Sequence, residues 1–113
     1  MKLEDIYKFF EDPPPLYLRQ EVAVCYILYA LLQRDSYGGE LIEHLEIEYP
    51  RYRMSDTVFY CAINFLEAQE AVIGYWQKND GRGRPRRMYQ VCPHWQAQAE
   101  KLAYLWQQYI QKK

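Results

Sequence analysis

The spacing of apolar positions changes repeatedly along this chain, and each change marks a predicted element. Leu3, Ile6, Tyr7 and Phe10 recur three and four residues apart, which predicts a short amphipathic helix over 2–11. Pro13-Pro14-Pro15 ends it, because consecutive prolines donate no backbone hydrogen bonds and hold the chain extended. A stiff connector is the simpler reading of that triplet; a ligand for a proline-reading domain is the alternative. A second helix is predicted over about Arg19–Gln33, apolar almost all round, as suits the central helix of a small bundle. Asp35-Ser36 breaks it, and Ser36 is placed to cap a third helix near Tyr37–Glu48. Leu41, Ile42, Leu45 and Tyr49 form the inward face of that helix, with Glu40, Glu43 and Glu46 outside. The pair Gly38-Gly39 is costly in a first turn, by about 1 kcal/mol each relative to Ala, and implies close approach of another backbone.

Pro50 ends the third helix, and Ser55 caps a fourth over about Asp56–Gln69. Val58, Phe59, Ala62, Ile63 and Leu66 are its apolar side, while Thr57, Tyr60, Cys61 and Asn64 lie opposite. Two strand-like runs follow, Val72–Gln77 and Arg86–Val91, joined by a segment with the turn signal Asp80-Gly81, which predicts a β-hairpin with an extended tip. Pro93 then starts a last helix. The fold class is mainly α with a small β-hairpin (α+β). The architecture is a winged helix-turn-helix at 19–91, with an extra helix at 2–11 and a long dimerisation helix at 93–112, in one domain spanning 1–113.

Composition narrows the function classes. Half of the 113 residues are apolar, enough for a real core, so disorder over most of the length is excluded. The longest apolar stretch, Val22 to Leu32, falls short of the roughly 20 residues a membrane span needs. Lys2, Glu4 and Asp5 at the start do not read as a secretory leader. Cys25, Cys61 and Cys92 are odd in number and far apart, which favours reduced thiols in a cytoplasmic protein, one that would be nucleoid-associated if it binds DNA. Net charge is −1, but its distribution is polarised. Residues 1–50 carry four basic groups against ten acidic ones, and residues 51–113 carry ten basic against five acidic. One face is thereby suited to an anionic partner.

The candidate chemistry lies in that second part. The helix preceding the hairpin is the element sized for the major groove, where base edges offer donors and acceptors. Ser55, Thr57, Tyr60 and Asn64 are the candidate recognition residues, and Arg51 and Arg53 just ahead are candidates for phosphate neutralisation. At the hairpin, Arg82, Arg84, Arg86 and Arg87 are interleaved with Gly81, Gly83 and Pro85, so cationic side chains accompany a backbone that can approach closely. In the last helix Trp95, Ala99, Leu102, Trp106 and Tyr109 recur at four, three, four and three, a heptad seam assigned to a second copy. The competing reading packs that seam on its own domain.

Tyr37-Gly38-Gly39-Glu40-Leu41, Ser55-Asp56-Thr57-Val58-Phe59-Tyr60, Leu66-Glu67 and Gly83-Arg84-Pro85-Arg86-Arg87-Met88-Tyr89 resemble the PadR-like transcriptional regulators. The likeness covers about residues 20–112, and its hairpin motif is the most specific part. The middle block departs in register, with Phe59 and Tyr60 where the family typically has leucine and tyrosine. The resemblance implies a dimeric winged-helix repressor whose C-terminal helix helps form the dimer. The extra N-terminal helix and aromatic C-terminal helix are also similar to a cyanobacterial branch of that family acting on a circadian clock gene.

Enzyme chemistry finds no support. His44 and His94 lack a nucleophile or metal pattern around them, and Glu40-x3-His44 reads as a surface pair rather than a metal site. No Ser-His-Asp order, phosphate-binding glycine loop or Cys-x-x-Cys stands out. Cys61 faces outward on the proposed recognition helix, where redox sensing would need a lowered thiol pKa. The expected partners are double-stranded operator DNA and a second copy of the chain, with no membrane and no cofactor. A small-molecule effector held between Trp and Tyr side chains is a further option. The alternative function is a winged-helix protein-interaction module without DNA binding.

Overall fold

A computed structural model of the protein describes residues 1–78 and 83–111. The core is arranged around one helix, α2 (Gln20–Gln33), which buries Ala23, Tyr26, Ile27, Leu28 and Leu31. Because α2 is apolar all round, it accepts neighbours on several sides: α4 (Asp56–Ala68) on one and α5 (Gln96–Gln111) on another. Tyr26 is fully buried, and its hydroxyl donates 2.7 Å to the Leu41 carbonyl, tying α2 to α3 (Gly38–Glu48). Burial pushes the Tyr26 phenol far above its ordinary range, with the Tyr49 phenol and the nearby carboxylates Glu48 and Glu40 adding to it. It is therefore a neutral donor at every physiological pH.

The hairpin forms over the predicted residues, β4 (Val72–Gln77) against β5 (Arg86–Val91), with Gly74 opposite Tyr89 and Trp76 opposite Arg87. It has a third strand that the alternation of side chains did not announce. β2 (Ser36–Tyr37) pairs antiparallel with the outer side of β5, Ser36 opposite Tyr89 and Tyr37 opposite Met88. This corrects the role expected of Ser36. Its backbone belongs to the sheet, its hydroxyl donates to the Glu40 carboxylate, and α3 starts after Tyr37 without a side-chain cap. Arg34 also pairs with Glu40 at 3.2 Å, while His44 lies 3.8 Å from Glu48. Among the described residues, no group of three or more His, Cys, Asp or Glu side chains is placed to hold a metal.

A second missed pairing fixes the proline arm. β1 (Leu16–Tyr17) runs parallel to β3 (Tyr52–Arg53), with Leu16 and Leu18 donating to the Arg51 and Arg53 carbonyls at 2.8 and 2.9 Å. The arm therefore leaves the body at a defined place. Beyond it, α1 (Leu3–Glu11) buries none of its residues, and Phe10 is 77% exposed. The radius of gyration, 16.3 Å, exceeds the roughly 13 Å of a compact chain this long, as a projecting helix requires. None of the described helices is long and apolar enough to cross a membrane.

Pro93–Trp95 makes a single 3-10 turn before α5 begins at Gln96. The heptad seam of α5 faces inward, which corrects the assignment of Ala99 and Trp106 to a partner. Ala99 and Trp106 are completely buried, and Trp95 and Leu102 pack half-buried against the same core. The cover comes from this chain: Tyr26 and Tyr49 meet the Trp106 ring edge-on at 5.2 Å each, Tyr52 does so at 6.0 Å, and Tyr109 stacks on it at 6.2 Å. Spacing alone could not reveal this, because a stripe that fits a second copy also fits an apolar α2. Only Tyr109, 40% exposed, keeps a sizeable outward surface among the five.

At the end of α4 the chain reverses through a Schellman turn. The Glu70 and Ala71 N–H groups donate to the Glu67 and Leu66 carbonyls at 3.0 and 2.9 Å. Glu70 sits there at φ 58°, in the left-handed region that glycine occupies most readily. Replacing Glu70 with glycine is expected to stabilise the protein by roughly 1 kcal/mol, read from urea unfolding midpoints.

Candidate nucleic-acid interface

The Ser55 side chain accepts a hydrogen bond from the Val58 N–H at 3.1 Å, which fixes where α4 begins and how it is rotated. The buried side of the helix is Phe59, Ala62, Ile63 and Leu66. Its period of 3.6 then turns Thr57, Tyr60, Cys61 and Asn64 outward in one uncharged stripe, with Tyr60 59% exposed. Tyr60 leans edge-on against Phe59 at 5.4 Å, and Phe59 packs on Tyr89 of β5 at 6.1 Å. The orientation of α4 is thus coupled to the sheet through a buried ring.

Gly38 explains part of that arrangement. A Cβ there would lie 2.8 Å from the Phe59 ring, whereas one at Gly39 would meet only the edge of Tyr37 at 3.4 Å. The close approach implied by the glycine pair is real, but the neighbour is a side chain, not a backbone, and it involves the first glycine.

The arginines divide into distinct environments. Arg51 is exposed next to the start of α4. Arg53 is engaged by its own connection: its Nη1 donates to the Pro50 and Tyr52 carbonyls at 2.8 and 2.9 Å, and its Nε lies 3.6 Å from Glu46. Arg84 is exposed, following Gly83, whose φ of 77° favours glycine at that bend. Arg86 lies over the Tyr37 ring at 4.5 Å. Arg87 points from the opposite face of the strand and pairs with Glu67 of α4 at 3.6 Å. Arg82 lies outside the described residues.

The environment of Tyr89 reflects the same cluster. Burial pushes its phenol up, Glu67 adds to that, and the Arg87 guanidinium acts against it. One glycine and two acidic residues in this region, Gly74, Glu46 and Glu67, shape the site without having been singled out for it by residue type. Glu67 lies within the motif blocks of the resemblance, whereas Gly74 carried no signal beyond being a glycine inside a strand.

Three helices ending on a groove-sized outward helix, followed by a three-stranded antiparallel wing, define a winged helix-turn-helix DNA-binding protein. The chain belongs to the transcriptional regulator PadR-like family, whose model matches residues 27–101. It is a regulator that binds DNA and not an enzyme. It is similar to the circadian clock associated protein Pex from anabaena, with 70% identity, a TM-score of 0.88, and 97% of this chain and 96% of that one covered. Pex from Synechococcus sp. is 55% identical, with a TM-score of 0.93 over 97% of this chain and 98% of that one. A transcriptional regulator from Clostridium thermocellum, 22% identical over 78% and 85% of the two chains, shares the fold with a TM-score of 0.65. No curated protein matches the chain.

Proposed function

We propose that the protein is a homodimeric repressor that occupies an operator sequence and thereby blocks a promoter. α4 enters the major groove and presents Thr57, Tyr60 and Asn64 to base edges, with Ser55 at a phosphate. Arg51, Arg84 and Arg86 neutralise phosphates along the flanks, while Arg53, held by carbonyls and Glu46, shapes the approach to α4. The observation that carries this reading is the uncharged, hydrogen-bonding stripe of α4 beside an arginine-bearing wing.

Dimerisation draws support from what the single chain leaves uncovered. Leu3, Ile6, Tyr7, Phe9 and Phe10 of α1 are exposed, as are Tyr104 and Leu105 on the outward side of α5. A second copy covers such surfaces and pairs two α4 helices on a pseudo-palindromic site. Near-full-length similarity to a circadian clock associated protein supports a clock gene as the target, with the repressor acting at the nucleoid.

The test is a titration of fluorescent duplex from the gene's own upstream region and of random duplex, at two salt concentrations. Competitor-resistant binding to the upstream fragment is the expected result. The double variant Arg84→Ala/Arg86→Ala removes four arginines from the dimer, so it should weaken binding to every duplex and flatten the log–log salt slope by up to about 3.6, at roughly 0.9 per phosphate contact. Asn64→Ala should instead change the preference among sequences. A folded protein that binds neither duplex would replace this reading with a protein-interaction module whose exposed α1 meets a different protein.

A further inference from the structure

We propose that Arg87 is a positioning residue: it clamps the wing to the recognition helix and makes no DNA contact of its own. This rests on the DNA-binding reading above. Strand alternation sends Arg86 and Arg87 to opposite faces of β5, so one DNA surface cannot engage both in the same way. Arg86 goes to the side of Tyr37, and Arg87 to the side that bears Tyr89 and faces α4.

On that side the guanidinium has a prepared seat. A Cβ at Gly74 would stand 2.6 Å from Arg87 Nε and 2.7 Å from both Cζ and Nη2, so the guanidinium lies directly on bare glycine backbone. The Trp76 ring centroid is 5.4 Å from Arg87 Cζ, and Glu67 Oε2 is 3.6 Å from Nη2. Glycine, an aromatic ring and a carboxylate together fit a planar cation. An ammonium has no flat face to lay on the glycine backbone and keeps at most the ring and carboxylate attractions. The contacts come from two elements, β4 and α4, whose relative placement decides whether the wing and α4 reach the duplex together. An exposed ion pair adds little to stability, so the contribution of this one lies in alignment.

The test uses two variants that leave net charge unchanged, Arg87→Lys and Gly74→Ala. In the free protein, amide hydrogen exchange across 72–77 and 86–91 should accelerate in both, while the thermal midpoint of Arg87→Lys stays near that of the parent. On the upstream duplex each should bind about tenfold more weakly, with the salt slope unchanged and hydroxyl-radical protection lost at the flanks but kept beneath α4. Lysine preserves a point contact to phosphate, so parental affinity in Arg87→Lys with unaltered wing exchange would overturn the proposal. A salt slope reduced by about two in Arg87→Ala, one contact for each copy in the dimer, with wing exchange as in the parent, would also overturn it and make Arg87 a phosphate contact. If the parent protein binds no duplex, the DNA-binding reading fails, and hydrogen exchange still decides whether the clamp exists.

Discussion

Replacing Trp106 with alanine is expected to lower the unfolding free energy by about 3–5 kcal/mol, the usual range for deleting a large buried aromatic ring. Small domains have only about 5–15 kcal/mol in total, so the variant should sit near the edge of folding at physiological temperature. The reason lies in the surroundings of the ring. Trp106 is completely buried and touches Tyr26 of α2, Tyr49 and Tyr52 of the α3–α4 connection, and Tyr109 of its own helix. Removing it opens a cavity where three segments meet, and those segments cannot close onto one another without moving the helices. Urea unfolding monitored by far-ultraviolet circular dichroism measures the loss. Its size should not vary with protein concentration, because the cover over Trp106 comes from the same chain. A loss that grows on dilution would return Trp106 to a dimer interface. Tyr109→Ala, which removes a partly exposed ring, should cost distinctly less.

The second large effect is expected at the glycine pair, with opposite signs at its two positions. In Gly38→Ala the new methyl lies 2.8 Å from Phe59, a ring that is 2% exposed and held between Tyr60 and Tyr89. Overpacking of this kind costs about 1–3 kcal/mol, against a helix-propensity gain of about 1 kcal/mol. The steric term wins, and Phe59 yields by pushing on α4. Gly38→Ala should therefore lose both stability and affinity for the upstream duplex. In Gly39→Ala the nearest neighbour is the movable Tyr37 ring at 3.4 Å, so the propensity gain prevails and the variant should match or exceed the parent in stability. Thermal melts of the two variants side by side check this directly. Equal behaviour would mean that Phe59 has room to move.

The helices and the hairpin were legible because their signals are local. Periods of 3.6 and 2, a Ser cap at 55 and prolines at 13–15, 50 and 93 act within a few residues and fall close to the observed boundaries. The outward stripe Thr57, Tyr60, Cys61 and Asn64 was legible for the same reason: once the apolar side of α4 is known, its opposite side follows.

What stayed hidden depends on a partner far along the chain. β2 and β1 are two residues each, too short to show alternation, and exist only because β5 and β3 lie beside them. Ser36 looked like a cap since nothing local reveals that Tyr89 takes its backbone. The seam of α5 was legible as a stripe but not in its destination, which α2, Tyr49 and Tyr52 settle by surrounding Trp106.

The arginines show the same division. Sequence by itself determined that cationic side chains gather at the hairpin, since charge and turn chemistry are written residue by residue. Only the tertiary structure decided their separate surroundings: Arg53 on its own carbonyls, Arg86 over Tyr37, and Arg87 seated on Gly74 against Glu67. Hydrophobic periodicity fixes which face of an element is buried. The neighbours of a polar head are set by how the elements pack, and packing joins residues that the sequence keeps far apart.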